Sequence, residues 1–419
     1  MNQILTTAWS KNQLILFRFT FCYFVLFFIF WGGIFPTYLF PFLDFINIPF
    51  RYISDTFFVW LGEIFLNKNE KLYTADAPLT YVAVIALLFF SIIITLIWST
   101  LDKRDNYNKL YAFLHTYIRF YLAYILFSYG FNKLFIHQFF PARPSDFIKP
   151  FSMLDHPAIL WRYMGASSSY TFLGGLLEVT GAVLLFFRRT TTIGAILIII
   201  TLFNVLMINI GYDVYVKLPL FHYLLLAIFM MRNDIKSLYQ IFILHKPSAL
   251  TIVPPAIKLL RFKWIIYFIK FSLIGFMIFK NVKLEIAQTK RGFFNSSFRG
   301  IYNIDSFYKN GQLHPPLITD NERWKKIAVN GKTELAIQSM NDSLKFCRYQ
   351  LDTIAKTFQF NLYTDTTSKY SFHYTYHDST YHFSGFYKND SIRFSMKVVD
   401  MSKFPLVRNR NKIKWTWNE

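Results

Sequence analysis

The chain has 419 residues, of which 54% are hydrophobic, 21% aromatic and only 16% charged, with 50 phenylalanines and a formal net charge of +21. That apolar load exceeds what an ordinary water-soluble domain can hide, so the composition excludes a soluble globule and points to a membrane protein with the lipid bilayer as its first partner. The basic excess does not indicate a nucleic-acid partner, because no basic patch interleaves with a recognition module; it fits loops that flank a membrane and meet anionic head groups.

The first apolar run, Gln13 to Phe35, is bulky and aromatic and lacks a small-residue cleavage site, so it reads as a retained anchor and not a signal peptide. Further spans are expected at Leu79 to Trp98, Ala112 to Phe131, Tyr170 to Phe187, Thr192 to Ile210, Leu218 to Met231 and Trp264 to Phe279. Most approach the ~20 residues that cross about 30 Å of hydrocarbon, and the short ones extend into their flanks or tilt little. Lys103, Arg104, Lys109, Arg188, Arg189, Arg232, Lys236, Lys246, Lys258, Arg261 and Lys263 fall in alternate loops. The other loops carry Asp44, Asp55, Glu63, Glu70, Asp76, Asp146 and Asp155. The positive-inside rule then sets the N-terminus in the cytoplasm, and an odd span count sets the C-terminal region outside it. The stretch Asp234 to Lys263, broken by Pro247, Pro254 and Pro255, is expected along the inner membrane surface.

The chemistry-bearing stretch is Tyr170 to Lys217, where Glu178, Asn204, Asn209 and Asp213 sit at or near membrane depth. A carboxylate at a helix centre costs about 2.5–3.5 kcal/mol on insertion scales, so it calls for a partner or a watered cavity. Glu178 lies eight residues from Tyr170, about 12 Å down its helix, and Asn204 falls at a similar depth on the next, so the two could meet. Asn209, Asp213 and Lys217 follow at steps of four and share a face if the helix continues, with Asp213 to Lys217 spaced for an ion pair. Asn132 and Lys133 arrive at the same level. One reading is an outward-opening pocket with Glu178 as a catalytic acid or base, Asn204 and Asn209 orienting a polar head group, and Lys133 or Arg119 as counter-charge. The other is interhelical glue. For Arg119, two turns into its span, snorkelling to the interface stands beside pairing with Glu178. Gly174, Gly175, Gly181 and Gly194 read as close helix packing.

From about Arg291 the composition turns polar and alternates. Tyr370, Phe372, Tyr374 and Tyr376 face one way, and Ser371, His373, Thr375 and His377 the other. Turn signals at Asn310-Gly311, Asn330-Gly331, Asn341-Asp342-Ser343, His377-Asp378-Ser379 and Asn389-Asp390-Ser391 suit an antiparallel barrel or sandwich. Trp324 is expected inside it, and Trp415 and Trp417 on its last strand. Such a barrel either holds a small apolar ligand or fills its own core. Cys22 and Cys347 lie in different domains and there is no CxxC, which argues against thiol redox chemistry by the chain itself. His373, His377 and His382 lack a completing ligand, so no metal is assigned, and His115, His137, His156 and His222 form no pair spaced for haem. No nucleotide loop or nucleophile elbow is present.

The runs RFYLAYILFSYGFNKLF, WRYMGASSSYTFLGGLLEVTGAVLLFFRRTTTIGA and NVLMINIGYDVYVK, between Arg119 and Met231, resemble the DoxX-like membrane proteins. That group is built on four helices and includes the small subunit of an archaeal thiosulfate:quinone oxidoreductase. The elements that carry the resemblance are Tyr129-Gly130 with Lys133, Glu178 among its glycines, Arg188-Arg189-Thr190 with Gly194, and Asn209 to Lys217. The whole plan is similar to envelope members from the Bacteroidetes with extra spans and a C-terminal β-domain. The resemblance implies a bacterial inner-membrane location and, for some members, a redox or quinone-linked role with quinone as cofactor. The expected fold class is a membrane all-α helical bundle of about seven transmembrane helices, followed by a soluble all-β domain. Its parts are residues 1–110, a DoxX-like four-helix core at 111–232, a loop and seventh helix at 233–290, and an extracytoplasmic β-domain at 291–419. The alternative is a non-catalytic envelope protein whose outer domain binds a ligand or a protein partner.

Overall fold

The computed structural model describes residues 8–34, 44–67, 76–254, 263–290 and 296–408. Phe35, Glu70, Pro255, Lys258, Arg261, Trp415 and Trp417 lie outside the described residues. The chain divides into two compact units. The first, residues 1–134 and 173–284, is helical; the second, 135–172 and 285–419, is built on a β-barrel.

The helical unit begins with α1 (Lys11–Phe27), started by a capping box in which Ser10 and Gln13 exchange side-chain and backbone hydrogen bonds. It continues through α2 (Asp44–Leu66), α3 (Pro78–Leu101) and α4 (Asn108–Leu134). After α7 (Ser168–Leu185) come α8 (Thr191–Gly211), α9 (Lys217–Met231), α10 (Ile235–Phe242) and α11 (Lys263–Lys290). Among the described residues, five helices are long and apolar enough to cross a membrane: α1 with its π-turn extension, α3, α4, α7 and α8. A sixth forms if α9 and α10, bent by 75°, count as one. The seventh expected span, Trp264 to Phe279, falls within α11. Helix α2 was hidden in sequence by Asp44, Arg51, Asp55 and Glu63. It buries a narrow stripe, Asn47, Ser54, Phe58 and Gly62, and pairs Arg51 with Asp44 at 2.6 Å.

Histidine 222 shows how the bundle uses a polar residue as core. Its Nε2 meets the Tyr23 hydroxyl at 2.6 Å and its Nδ1 the Leu218 carbonyl at 2.7 Å, while its ring stacks on Phe27 with centroids 4.8 Å apart. Both ring nitrogens are therefore hydrogen-bonded within the bundle.

Among the described residues of the second unit, nine strands run as an antiparallel meander: β1 (Gly300–Lys309), β2 (Gln312–Leu313), β3 (Trp324–Val329), β4 (Glu334–Ser339) and β5 (Leu344–Asp352), then β6 (Thr357–Leu362), β7 (Asp365–His377), β8 (Thr380–Tyr387) and β9 (Asp390–Val399). Strand β9 returns to β1, from Ile301 opposite Val399 to Lys309 opposite Ile392, so eight strands close a barrel and β2 is a two-residue appendage. Of the two expected β architectures, the barrel is found. The turn signals are used much as read: Asn310 and Gly311 take φ of +50° and +83°, and Asp378 and Ser379 take +50° and +59°. At the β8–β9 turn the positive φ falls on Lys388, one residue before the expected signal.

An eight-stranded barrel either fills with its own side chains or holds one small ligand, and this one is filled by side chains. Trp324, 1% exposed, packs against Phe307, Phe360, Phe372, Tyr387 and Phe394 with centroids 5.2 to 6.2 Å away. The loop after β2 is tied down by Arg323. Its guanidinium donates to the His314 carbonyl at 2.9 Å and to the Trp324 carbonyl at 3.1 Å. Burial raises the Asp320 carboxyl, but the His314 hydrogen bond and the Arg323 and Glu322 N–H groups outweigh it and hold it below the usual carboxylate range.

Short helices α5 (Pro144–Ile148) and α6 (His156–Ala166) belong to this unit although they precede it by more than a hundred residues. Ile148 packs with Ile301 and Ala328, its carbonyl accepts from Gln338 at 2.9 Å, and the Ser145 N–H donates to Asn330 at 3.0 Å.

Cys347 on β5 is fully buried, and burial pushes its thiol up to about 12. In a Cys22→Ser background, maleimide labelling of the folded protein at pH 7.5 is therefore expected to be negligible and to become complete in denaturant. Rapid labelling without denaturant would contradict the closed barrel.

Candidate functional site

The described residues hold a polar place in each unit. The first is the intramembrane carboxylate. Glu178, in the middle of α7, accepts from the Lys133 ammonium near the end of α4, with side chains 3% and 8% exposed. The helices touch there because both lack a side chain. A Cβ on Gly175 would stand 2.7 Å from the Gly130 carbonyl oxygen and 2.8 Å from Lys133 Cβ, and one on Gly130 would stand 2.7 Å from Val179. The same device joins α7 to α8, where a Cβ on Gly194 would stand 2.9 Å from that of Leu184. Glu178 is thus enclosed by close-packed backbone, with its Oε2 buried and lacking a hydrogen-bond partner.

The other expected members of that pocket separate. Asn204 is exposed on the surface of α8 and does not face Glu178, whereas Asn209 is buried. Five residues at ~100° each place them about 140° apart on the helix, which prevents a shared face. Asn132 is part-buried and turns its amide back to the Ser128 carbonyl at 3.0 Å. Arg119 lies fourteen residues from Lys133, about 21 Å along α4, so the counter-charge of Glu178 is Lys133 and not Arg119. Helix α8 ends at Gly211, so the expected continuous face to Lys217 is interrupted, with Asp213 in the turn at φ +50°. The ion pair nevertheless forms, Lys217 Nζ to Asp213 at 2.9 Å, with Asp76 at 3.8 Å.

Sequence reasoning missed two acids that organise this unit. Asp76, read only as a loop acid, accepts from the N–H groups of Lys217 and Leu218, both at 2.8 Å, and so caps α9 from a segment 141 residues away. Asp234 accepts the Thr192 hydroxyl and the Thr251 N–H, the latter at 2.7 Å, tying the start of α8 to the segment after α10. Neither carries a local sequence signal, because the groups that they bind are remote.

The second place is on the outside of the barrel. Strand β1 shifts register between Ile304 and Ser306, and beside this bulge the outer face of β1, β7, β8 and β9 carries a groove. The groove has a volume of about 440 Å³ and is lined on its polar side by Ser306, Tyr308, His373, Thr375, His382 and Arg393, with Ser384 beside them. Ser306 and Ser395 hydroxyls are bonded at 2.7 Å, His373 Nδ1 meets the Lys356 carbonyl at 2.8 Å, and the Arg393 guanidinium lies 5.5 Å from the Tyr308 ring centre. Thr375 stands opposite His382 and His373 opposite Ser384, so the two imidazoles are diagonal neighbours. His377, at the strand end, is exposed beyond the groove. Among the described residues no group of three His, Cys, Asp or Glu side chains gathers as a metal site. No carboxylate lines the groove, whose charged group is a guanidinium.

No protein-family model matches the chain, and no solved structure matches it. A curated relative, the uncharacterized protein YwoB of Bacillus subtilis (strain 168), is 32% identical over 102 residues, or 24% of this chain. The match covers 62% of that relative's length, so the chain is similar to part of a protein whose printed name assigns no activity.

Proposed function

We propose that the protein is a membrane-anchored binding module that offers the outer groove of its β-barrel to an anionic, hydroxyl-bearing ligand outside the cytoplasm. One observation carries this reading: a concave face on a barrel whose interior is already full, with Arg393, two imidazoles, the hydroxyls of Ser306, Tyr308, Thr375 and Ser384, and no acid among its lining residues to repel an anion. An Arg fork recognises a carboxylate in two-point fashion, and imidazole and hydroxyl groups complete hydrogen bonds to sugar-like oxygens. The bundle is the anchor in a bacterial inner membrane, and the basic loops at alternate span ends support an N-terminus in the cytoplasm.

The test is calorimetric titration of the full chain in detergent with a uronic acid oligomer and with its neutral counterpart. Binding of the acidic oligomer is expected, weakened about tenfold or more by Arg393→Glu. Equal affinities for acidic and neutral oligomers, or no effect of the substitution, would remove the proposal.

The redox reading, with quinone as cofactor and a DoxX-like core, rests on the sequence resemblance and on the partnerless Oε2 of Glu178. In that reading Glu178 would hold the quinone head group by a hydrogen bond and would accept or supply a proton there. Quinone that co-purifies with the wild type and is lost in Glu178→Gln would favour it over the binding module.

A further inference from the structure

The end of the helical unit opposite the Glu178 pair holds a different cluster. The turn between α7 and α8 sets the first residues of α8 against Arg119 and His115 of α4, around a small cavity that Arg188 also lines. Helix α8 has no side-chain cap. Thr190 occupies the capping position, but its hydroxyl donates to the Leu184 and Phe187 carbonyls at 2.6 and 3.1 Å. The first-turn N–H groups thus keep the partial positive charge of a helix N-terminus.

Independent of the helix end, two buried side chains on α4 each keep one ring or guanidinium nitrogen without a partner. Arg119 is only 4% exposed, yet its Nε has no hydrogen-bond acceptor; His115 is 3% exposed, and its Nδ1 has none either. A buried N–H of a guanidinium left without an acceptor is unfavourable, and an acceptor oxygen placed in the cavity would satisfy it. The acid lining the cavity, Asp234, is already engaged with Thr192 and Thr251. The enclosed space is about 10 Å³, room for one oxygen-sized group, and exposed Arg188 stands at its mouth.

We infer that the N-terminus of α8 is a binding site for a phosphate group. One phosphate oxygen enters the cavity toward Arg119 and the uncapped amides of α8, and the remaining oxygens meet Arg188. A tetrahedral oxyanion suits this set better than a planar carboxylate, because two guanidiniums and a helix end approach it from different directions. The phosphate belongs either to an anionic lipid head group or to a soluble phosphate, and the same residues recognise both.

The experiment uses the full chain in two settings. In detergent, after delipidation, inorganic phosphate is titrated and followed by ³¹P line broadening. In phosphatidylcholine nanodiscs doped with phosphatidylglycerol, retained lipid is counted by native mass spectrometry. Wild type is expected to hold one of the two probes, with occupancy lowered about tenfold or more by Arg119→Gln and by Arg188→Gln. Arg188→Gln serves as the check if the buried substitution fails to fold, because Arg188 is exposed. Loss of phosphate broadening identifies a soluble ligand, and loss of phosphatidylglycerol alone identifies a lipid. Equal occupancy in wild type and folded variants, or no occupancy by either probe, overturns the site.

Discussion

Replacing Trp324 by alanine is expected to destabilise the barrel by about 3–5 kcal/mol, the range for removing a large buried aromatic side chain. The indole is the hub of the interior: five rings from β1, β6, β7, β8 and β9 close on it, so no single neighbour can move in without losing its own contacts. Trp324→Phe is expected to cost less, because most of the apolar volume stays. The measurement is urea-dependent labelling of Cys347 in the full chain with Cys22→Ser, which reports barrel opening and leaves the helical unit silent. A labelling midpoint unchanged in Trp324→Ala would mean that the barrel core is looser than its ring contacts imply.

The second large effect is at the intramembrane pair. Lys133→Met leaves the Glu178 carboxylate buried without its cation, and breaking a buried pair from one side costs about 3–5 kcal/mol. Glu178→Leu combined with Lys133→Met removes both charges, and most of the stability is expected to return. Thermal inactivation of folding in detergent and accumulation in membranes should fall sharply for the single variant and recover in the double. If the single variant accumulates normally, the pair is not what holds α4 to α7 and the Gly130–Gly175 contact suffices. A double variant that is stable yet loses a bound small molecule would instead support the redox reading.

Much of the barrel was legible because period two is local: the alternation around Tyr370 to Tyr374 and the turn dipeptides needed no knowledge of partners. Closure of β9 on β1 and the docking of α5 were not legible, because both join segments remote in sequence. In the bundle, the apolar runs marked the long helices, but α2 was lost behind four charges that its exposed face tolerates. Glu178 and Lys133 were legible as members of one level, while Asn204 was assigned to the wrong side. The helical wheel could have corrected that, since its five-residue step from Asn209 already separates the two faces. The Asp76 and Asp234 contacts had no such signal, because a carboxylate that serves a distant backbone looks in sequence like any loop acid.

The helices between α4 and α7 have a consequence for the order in which the chain is made. Ile148 leaves the ribosome roughly 250 residues before Val399, which lies on the strand that closes the barrel around Ile301 and Ala328. At ~5–20 residues per second that is about 10–50 s during which an apolar peg waits for a surface not yet synthesised. A helical unit already inserted would hold both flanks of this peg, turning a distant docking into a tethered one, and would favour assembly of the barrel only after the anchor is in place.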